Sequence, residues 1–371
     1  MSPIAMLNDW TRTVQCLLPS LHAYQRRTLA ALSFGIARAL HCHLGRAALR
    51  VPGPASPRST ERRFQRYLAN DRINVPACRA ELARSLLSGW ANRRLMLVLD
   101  EVPLANRLRC LRVSACYQGR ALPLFWRCYP PDAPPRPLPR LIRELFREAA
   151  ACTPPGAEVI LLADRGLSWP QTLDACREAG WHFILRLQRD VRVRFPDGSE
   201  RKVVSLLREG ERPTYCRGGL ELFKDAGWRA ANLVCVWRGP DSDPWLLATD
   251  LPPTLTACSL YRRRTWFEET NRDEKSSGFQ WQRSRVWNPA HAERLLLAVA
   301  LALLWLLSLG YQLLRDGGRS RFEPRGRRRY SLFQLGWRWM EGALLRGDPV
   351  PTLLCFYPPP TIPSLPPPLL S

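Results

Sequence analysis

At 371 residues and 46% hydrophobic content, the chain can bury a sizeable core, which excludes global disorder. A formal charge of +23 calls for a polyanionic partner, nucleic acid first and an anionic membrane surface second. Twelve cysteines without a CxxC pair exclude a small disulfide scaffold; scattered along the chain, several of them in apolar runs (Cys176, Cys235), they read as reduced core thiols of a cytosolic protein.

In chain order, the opening MSPIAMLNDWTRT has neither a basic n-region nor an apolar h-region, so no secretory signal is expected. Residues 1–90 read as helical. Apolar residues recur at helical spacing over 17–44, and after the break VPGPASPRS (51–59) a further helix begins, with Ser59 or Thr60 as its cap. Arg62, Arg63 and Arg66 on that helix suit backbone phosphate. His41-Cys42-His43 lacks partners at ligand spacing and reads as incidental, not as a metal site.

From residue 95 the pattern turns to strands. LMLVLD (95–100) is a short apolar run ending in Asp100, and 110–117 with 122–129 read as a hairpin. A proline-rich connection leads to a helix over 140–151. VILLAD (159–164) is a second apolar run ending in an aspartate, followed by a helix over 170–179 and a strand over 181–187. The turn-rich span 191–258 reads as a β-rich insertion. The leucine-rich stretch 295–309 runs 15 residues, short of the roughly 20 needed to span a bilayer, so it reads as a buried core helix. A basic segment (319–329) and the tail YPPPTIPSLPPPLLS close the chain.

The chemistry concentrates in 261–275, YRRRTWFEETNRDEK. Read as one helix at about 100° per residue, it places Tyr261, Arg264, Glu268 and Lys275 within an arc of roughly 60°. Lys275 is one of only three lysines, with Lys202 and Lys224. The plain alternative is a solvated face with Arg264–Glu268 as an i,i+4 pair. Asp100 and Asp164, each after an apolar strand, converge at one sheet edge, where α/β sites form. With Glu268 they make an all-carboxylate set suited to Mg²⁺ or Mn²⁺. Two such ions could activate a nucleophile and stabilise the leaving 3′ oxygen of a phosphodiester. Glu268 is preferred to Glu269 by spacing, and Glu101 points to the opposite face of its strand from Asp100.

Over about residues 60–315 the chain resembles the DDE transposases. The strand order, the two strand-end aspartates and the helical glutamate look like their ribonuclease H-like fold. The spacing of Tyr261, Arg264, Glu268 and Lys275 is similar to the Tyr-x2-Arg-x3-Glu-x6-Lys motif of bacterial insertion-sequence family four. The resemblance implies an α/β mixed sheet interrupted by a β-rich insertion, preceded by an all-α domain and followed by C-terminal helices. The corresponding layout is a DNA-binding region at 1–90, a catalytic core at 91–190 and 259–315, an insertion at 191–258, and a basic segment with tail at 316–371. Asp100, Asp164 and Glu268 would bind two Mg²⁺ or Mn²⁺ ions, while Arg264 and Lys275, assisted by Tyr261, would hold DNA phosphates. An aromatic of the insertion (Trp228, Trp237 or Trp245) would stack on a flipped base during hairpin formation. The implied activity is cut-and-paste transposition of double-stranded DNA, by a homodimer that synapses two transposon ends, in the cytoplasm at the bacterial nucleoid and without a membrane role. The alternatives are a transposase-derived DNA-binding protein that no longer cuts and a nuclease of the same fold that does not transpose.

Overall fold

The computed structural model describes residues 1–208, 211–239, 241–324 and 327–358, so nearly all of the proline-rich tail lies outside the described residues. Five helices come first: α1 (Pro3–Leu17), α2 (Ala23–Ala39), α3 (Leu44–Ala48), α4 (Pro57–Ala69) and α5 (Val75–Leu87). Helix α4 begins earlier than the sequence suggests. Pro57 occupies the first turn, where a missing N–H costs nothing, and Ser56 is the cap in place of Ser59 or Thr60. Its hydroxyl accepts from the Ser59 amide at 3.2 Å.

Strands β1 (Arg94–Leu104), β2 (Leu108–Tyr117) and β3 (Arg120–Tyr129) form an antiparallel meander. Helix α6 (Leu138–Ala150) leads to β4 (Glu158–Ala163), parallel to β1, and α7 (Pro170–Glu178) leads to β5 (His182–Arg186), parallel to β4. The run Leu95, Leu97, Val98 and Leu99 is fully buried, as a central strand covered on both faces requires. The following strands are β6 (Arg192–Arg194), β7 (Glu200–Lys202), β8 (Thr214–Leu222), β9 (Arg229–Val236) and β10 (Trp245–Thr249). They extend the same sheet: β10 pairs antiparallel with β5, giving ten strands in the order β3-β2-β1-β4-β5-β10-β9-β8-β6-β7.

The chain then forms α8 (Thr256–Tyr261), α9 (Thr265–Glu274), α10 (Pro289–Arg315) and α11 (Leu332–Arg346). The apolar stretch 295–309 is the middle of a 27-residue helix, so length alone would allow a membrane span. Burial argues otherwise, because 94% of its most apolar window is covered by protein. The Trp305 ring of α10 stacks on Trp10 of α1 with centroids 4.3 Å apart. Helix α11 lies in what the sequence reading left as basic segment and tail. Its apolar face (Leu332, Phe333, Leu335, Met340, Ala343) packs on α10, and a Cβ at Gly336 would collide with the Leu306 carbonyl, so glycine permits this close approach. All twelve cysteines are free thiols, and eight of them, Cys176 and Cys235 included, are buried; Cys16 and Cys216 are exposed and Cys116 and Cys355 half-buried, so the expectation of core thiols does not hold for these four. His41 Nδ1 accepts the His43 amide at 2.9 Å.

Candidate active site

The sheet itself brings the two aspartates together. The last parallel pair of β1 and β4 is Leu99 with Ala163, and the next residue on each chain is Asp100 and Asp164. Asp100 does not end its strand as expected; β1 runs on to Leu104, held there by β2 alone. In each aspartate one oxygen is fixed by backbone. The Glu101 amide donates to Asp100 Oδ1 at 2.8 Å and the Gly166 amide to Asp164 Oδ1 at 2.9 Å. The other oxygens face one nitrogen of Arg264. Nη2 donates to Asp100 Oδ2 at 2.8 Å and to Asp164 Oδ2 at 3.1 Å, while Nη1 donates to Glu268 Oε1 at 2.6 Å. Arg264, expected to hold phosphate, is here the cation on which all three carboxylates meet.

Residues 261–275 are not one continuous helix. A 3₁₀ turn, Arg262–Arg264, separates α8 from α9, and Lys275 falls beyond α9 with φ −101° and ψ −107°. Lys275 Nζ reaches back to the Pro103 carbonyl of β1 at 2.9 Å, so it still returns to the strand that carries Asp100. Burial lowers the Lys275 pKa from its ordinary value.

The opposite face of α9 explains why Glu268 points where it does. Phe267, Thr270, Asp273 and Glu274 are buried against the sheet. Glu274 accepts from Arg112 of β2 at 2.7 Å, Asp273 from Arg120 of β3 at 2.5 Å, and Thr270 Oγ1 from the Ala121 amide at 2.8 Å. These clamps were missed in the sequence; the available signal was two arginines, Arg112 and Arg120, within otherwise apolar strands. Glu269 pairs on the surface with Arg272 at 2.8 Å, and Glu101 accepts from the Tyr129 hydroxyl, so neither joins the cluster.

Burial pushes the Asp100 carboxyl up to about 6; Arg264 opposes the rise and neighbouring Asp164 adds to it. Burial works against the Arg264 charge, but Asp100, Tyr261 and Asp164 more than offset it, and its pKa is raised. Tyr261 is buried, which raises its phenol, and its hydroxyl finds no partner among the described residues; neither does Arg264 Nε. The Trp245 ring meets Tyr261 edge-on at 5.4 Å and lies under Arg238 at 4.8 Å. Trp228 lies under Arg194 at 4.7 Å, and Trp237 Nε1 donates to the Ser242 carbonyl at 3.0 Å. Of the three tryptophans, Trp245 is the one in ring contact with a residue of the candidate site.

On α4, Arg62 and Arg66 are exposed and line a surface groove with Arg58, Ser59 and Gln65. Arg63 is half-buried, its guanidinium 5.8 Å from the Phe64 ring centroid, and does not line that groove.

The donor set fits a hard divalent cation: three carboxylates, no nitrogen or sulfur ligand, all drawn to one positive group. In this arrangement, among the described residues, no three His, Cys, Asp or Glu side chains are grouped closely enough to share one ion. The two aspartates take one guanidinium nitrogen and Glu268 the other, so exchanging Arg264 for an ion requires Glu268 to close in.

The α/β sheet thus carries three carboxylates gathered at one edge around one arginine. Residues 133–305 match the family model described as the transposase DDE domain, which supports a DDE transposase. The matched stretch includes Asp164, Tyr261, Arg264, Glu268 and Lys275 and begins after Asp100. A search of curated proteins finds no match to the chain.

Proposed function

We propose that the chain is a cut-and-paste DNA transposase of the bacterial insertion-sequence-four type, with a ribonuclease H-like core. The observation that carries this reading is the convergence of Asp100, Asp164 and Glu268, from β1, the end of β4 and α9, on a single guanidinium. The order of strands supports it too: three antiparallel strands, then two parallel ones each reached through a helix.

Asp100, Asp164 and Glu268 would hold one or two Mg²⁺ or Mn²⁺ ions. When bound, such ions supply an activated water and stabilise the leaving 3′ oxygen. Arg264, released from the carboxylates, turns its planar donors to the phosphodiester, for which a guanidinium is well shaped. Tyr261, with its unpartnered hydroxyl, donates to a phosphate oxygen. Lys275 keeps a compact positive charge beside β1. Trp245 is the best placed of the insertion tryptophans to stack on a displaced base. Arg62 and Arg66, with Arg58, run along the duplex backbone, and Arg63 supports Phe64 instead. The layout follows: a DNA-binding region at 1–90, the core at 91–190 and 259–315, an insertion at 191–258 and a C-terminal part from 316. The working form is a homodimer joining two transposon ends at the bacterial nucleoid.

The test is a cleavage assay on DNA carrying the gene's own flanking sequences, with Mg²⁺ or Mn²⁺, beside an Asp164→Ala control. Cutting at defined ends that needs both metal and Asp164, followed by joining of the freed 3′ hydroxyl to target DNA, is the expected result. Cutting without joining identifies a non-transposing nuclease. Tight binding with no cutting identifies a DNA-binding descendant.

A further inference from the structure

Three arginines beside the carboxylates meet on one side chain. Arg165 follows Asp164, Arg186 ends β5, and Arg189 lies in the turn after it. All three engage Asp243, two residues before β10. Arg165 and Arg186 take Oδ2, the latter at 2.8 Å, and Arg189 takes Oδ1 at 2.8 Å. Arg186 also donates to the Pro244 carbonyl at 3.2 Å, and Gln188 Nε2 to the Arg165 carbonyl at 3.2 Å, so the loops carrying the arginines are tied together. The cluster inverts the one around Arg264. There, one cation serves three carboxylates; here, three cations surround one carboxylate.

The two clusters are contiguous. Arg165 is the chain neighbour of Asp164, and Trp245, two residues from Asp243, carries the ring that meets Tyr261. Burial, with the nearby Arg165 charge next, lowers the Arg186 pKa, while Tyr261 and Asp164 oppose the shift. Stability is a poor reason for such an arrangement. Partly exposed pairs contribute little each, and gathering three guanidiniums works against that gain. Three planar donor groups around one two-oxygen anion are instead a holder for a phosphodiester, whose non-bridging oxygens accept as a carboxylate does.

We propose that Asp243 occupies a DNA-phosphate subsite: in the free protein its carboxylate stands in for a backbone phosphate next to the position to be cut, and the entering strand displaces it. This rests on the proposed function in taking duplex DNA as the ligand. Arg165, Arg186 and Arg189 hold the strand, and Asp243 keeps them gathered and moderates binding until a phosphate arrives. At 38% exposure the carboxylate has solvent to swing into.

The test is a fluorescence-anisotropy titration of a short DNA duplex with the full chain across a salt series, in chelator so that no cutting occurs. Asp243→Asn is expected to bind several-fold more tightly. Arg189→Gln, altering the most exposed of the three arginines at 55%, is expected to bind roughly three- to ten-fold more weakly, its plot of log affinity against log salt shallower by about 0.9 if one phosphate contact is lost. Unchanged or weaker binding by Asp243→Asn with an unaltered melting profile overturns the stand-in role. If Asp243→Asn does not fold, Arg189→Gln decides, and parental affinity in that variant overturns the subsite. Cleavage by the parent, read separately with Mg²⁺, keeps the two ideas apart. A parent that binds but never cuts sinks the transposase reading and leaves the subsite standing. A parent that cuts, beside variants that bind as it does, sinks the subsite alone.

Discussion

Helix α9 carries acids on two faces, and the protein treats them differently. On the buried face, Glu274 and Asp273 are each matched by one arginine, Arg112 and Arg120, with side chains 9% exposed or less. On the open face, Glu268 joins Asp100 and Asp164 around a single arginine, and its side chain is 53% exposed. A buried charge left unpaired is strongly destabilising, so the packed side of the helix is neutralised one to one. The other side keeps a surplus of negative charge that folding does not require. Stoichiometry therefore separates a clamp from a candidate site where proximity alone would not.

The strongest way to break this comparison is to remove one acid from each face. Glu268→Gln is expected to lower metal-dependent cutting by about three orders of magnitude or more, because a metal centre supplies several kcal/mol of charge stabilisation, while duplex affinity stays near that of the parent. Retained cutting sinks the triad. Glu274→Gln should act on the fold instead, leaving Arg112 buried without its counter-charge. The expected loss is about 3–5 kcal/mol in denaturant unfolding, against about 1 kcal/mol or less for Glu268→Gln. Equal losses in the two variants would erase the distinction between clamp and site.

Much of this was legible in the sequence because it depends on local pattern. The apolar runs before Asp100 and Asp164 announced the strands, and adjacent register then placed the aspartates side by side. The spacing of Arg264 and Glu268 announced their contact. What was not legible depends on the rest of the chain. Nothing between 261 and 275 signals that the helix breaks at Arg262–Arg264, nor that α9 is tied to β2 and β3 through Arg112 and Arg120, more than 140 residues away in sequence. That β10 would join β5 and draw the insertion strands into the main sheet is likewise a long-range pairing. Helix α11 was obscured by the arginines and prolines on either side of it.

A third prediction sharpens the comparison through pH. Asp100 and Asp273 are both pushed up to about 6, chiefly by burial, whereas an aspartate in an unfolded chain titrates near 4. Between about pH 4 and 6 the folded chain holds protons that the unfolded chain has released. Their contribution to stability is therefore fully present at the acid end of that window and falls as pH rises through it, by on the order of 1–3 kcal/mol for each carboxyl. Asp100→Asn should remove its share of the slope, as read from unfolding midpoints between pH 4 and 8. A divalent ion favours the ionised carboxylate, so Mg²⁺ should raise the melting temperature above about pH 6 and lose that effect below it. A metal effect that persists unchanged at pH 5 would place the ion elsewhere.

The smallest expected effect concerns Tyr261, whose buried hydroxyl has no partner among the described residues although it lies among charged groups. A buried hydroxyl left unbonded forfeits its hydration, so Tyr261→Phe is expected to leave stability unchanged or raise it by about 1 kcal/mol. If that hydroxyl is kept to meet a phosphate oxygen, the same change should weaken duplex binding or slow cutting by several-fold, since a donor is lost from the complex alone. Stability and function then move in opposite directions, which no purely structural role for the phenol produces. A Tyr261→Phe variant that loses stability and keeps full affinity and cutting would return the residue to the core and reduce the cationic half of the site to Arg264 and Lys275.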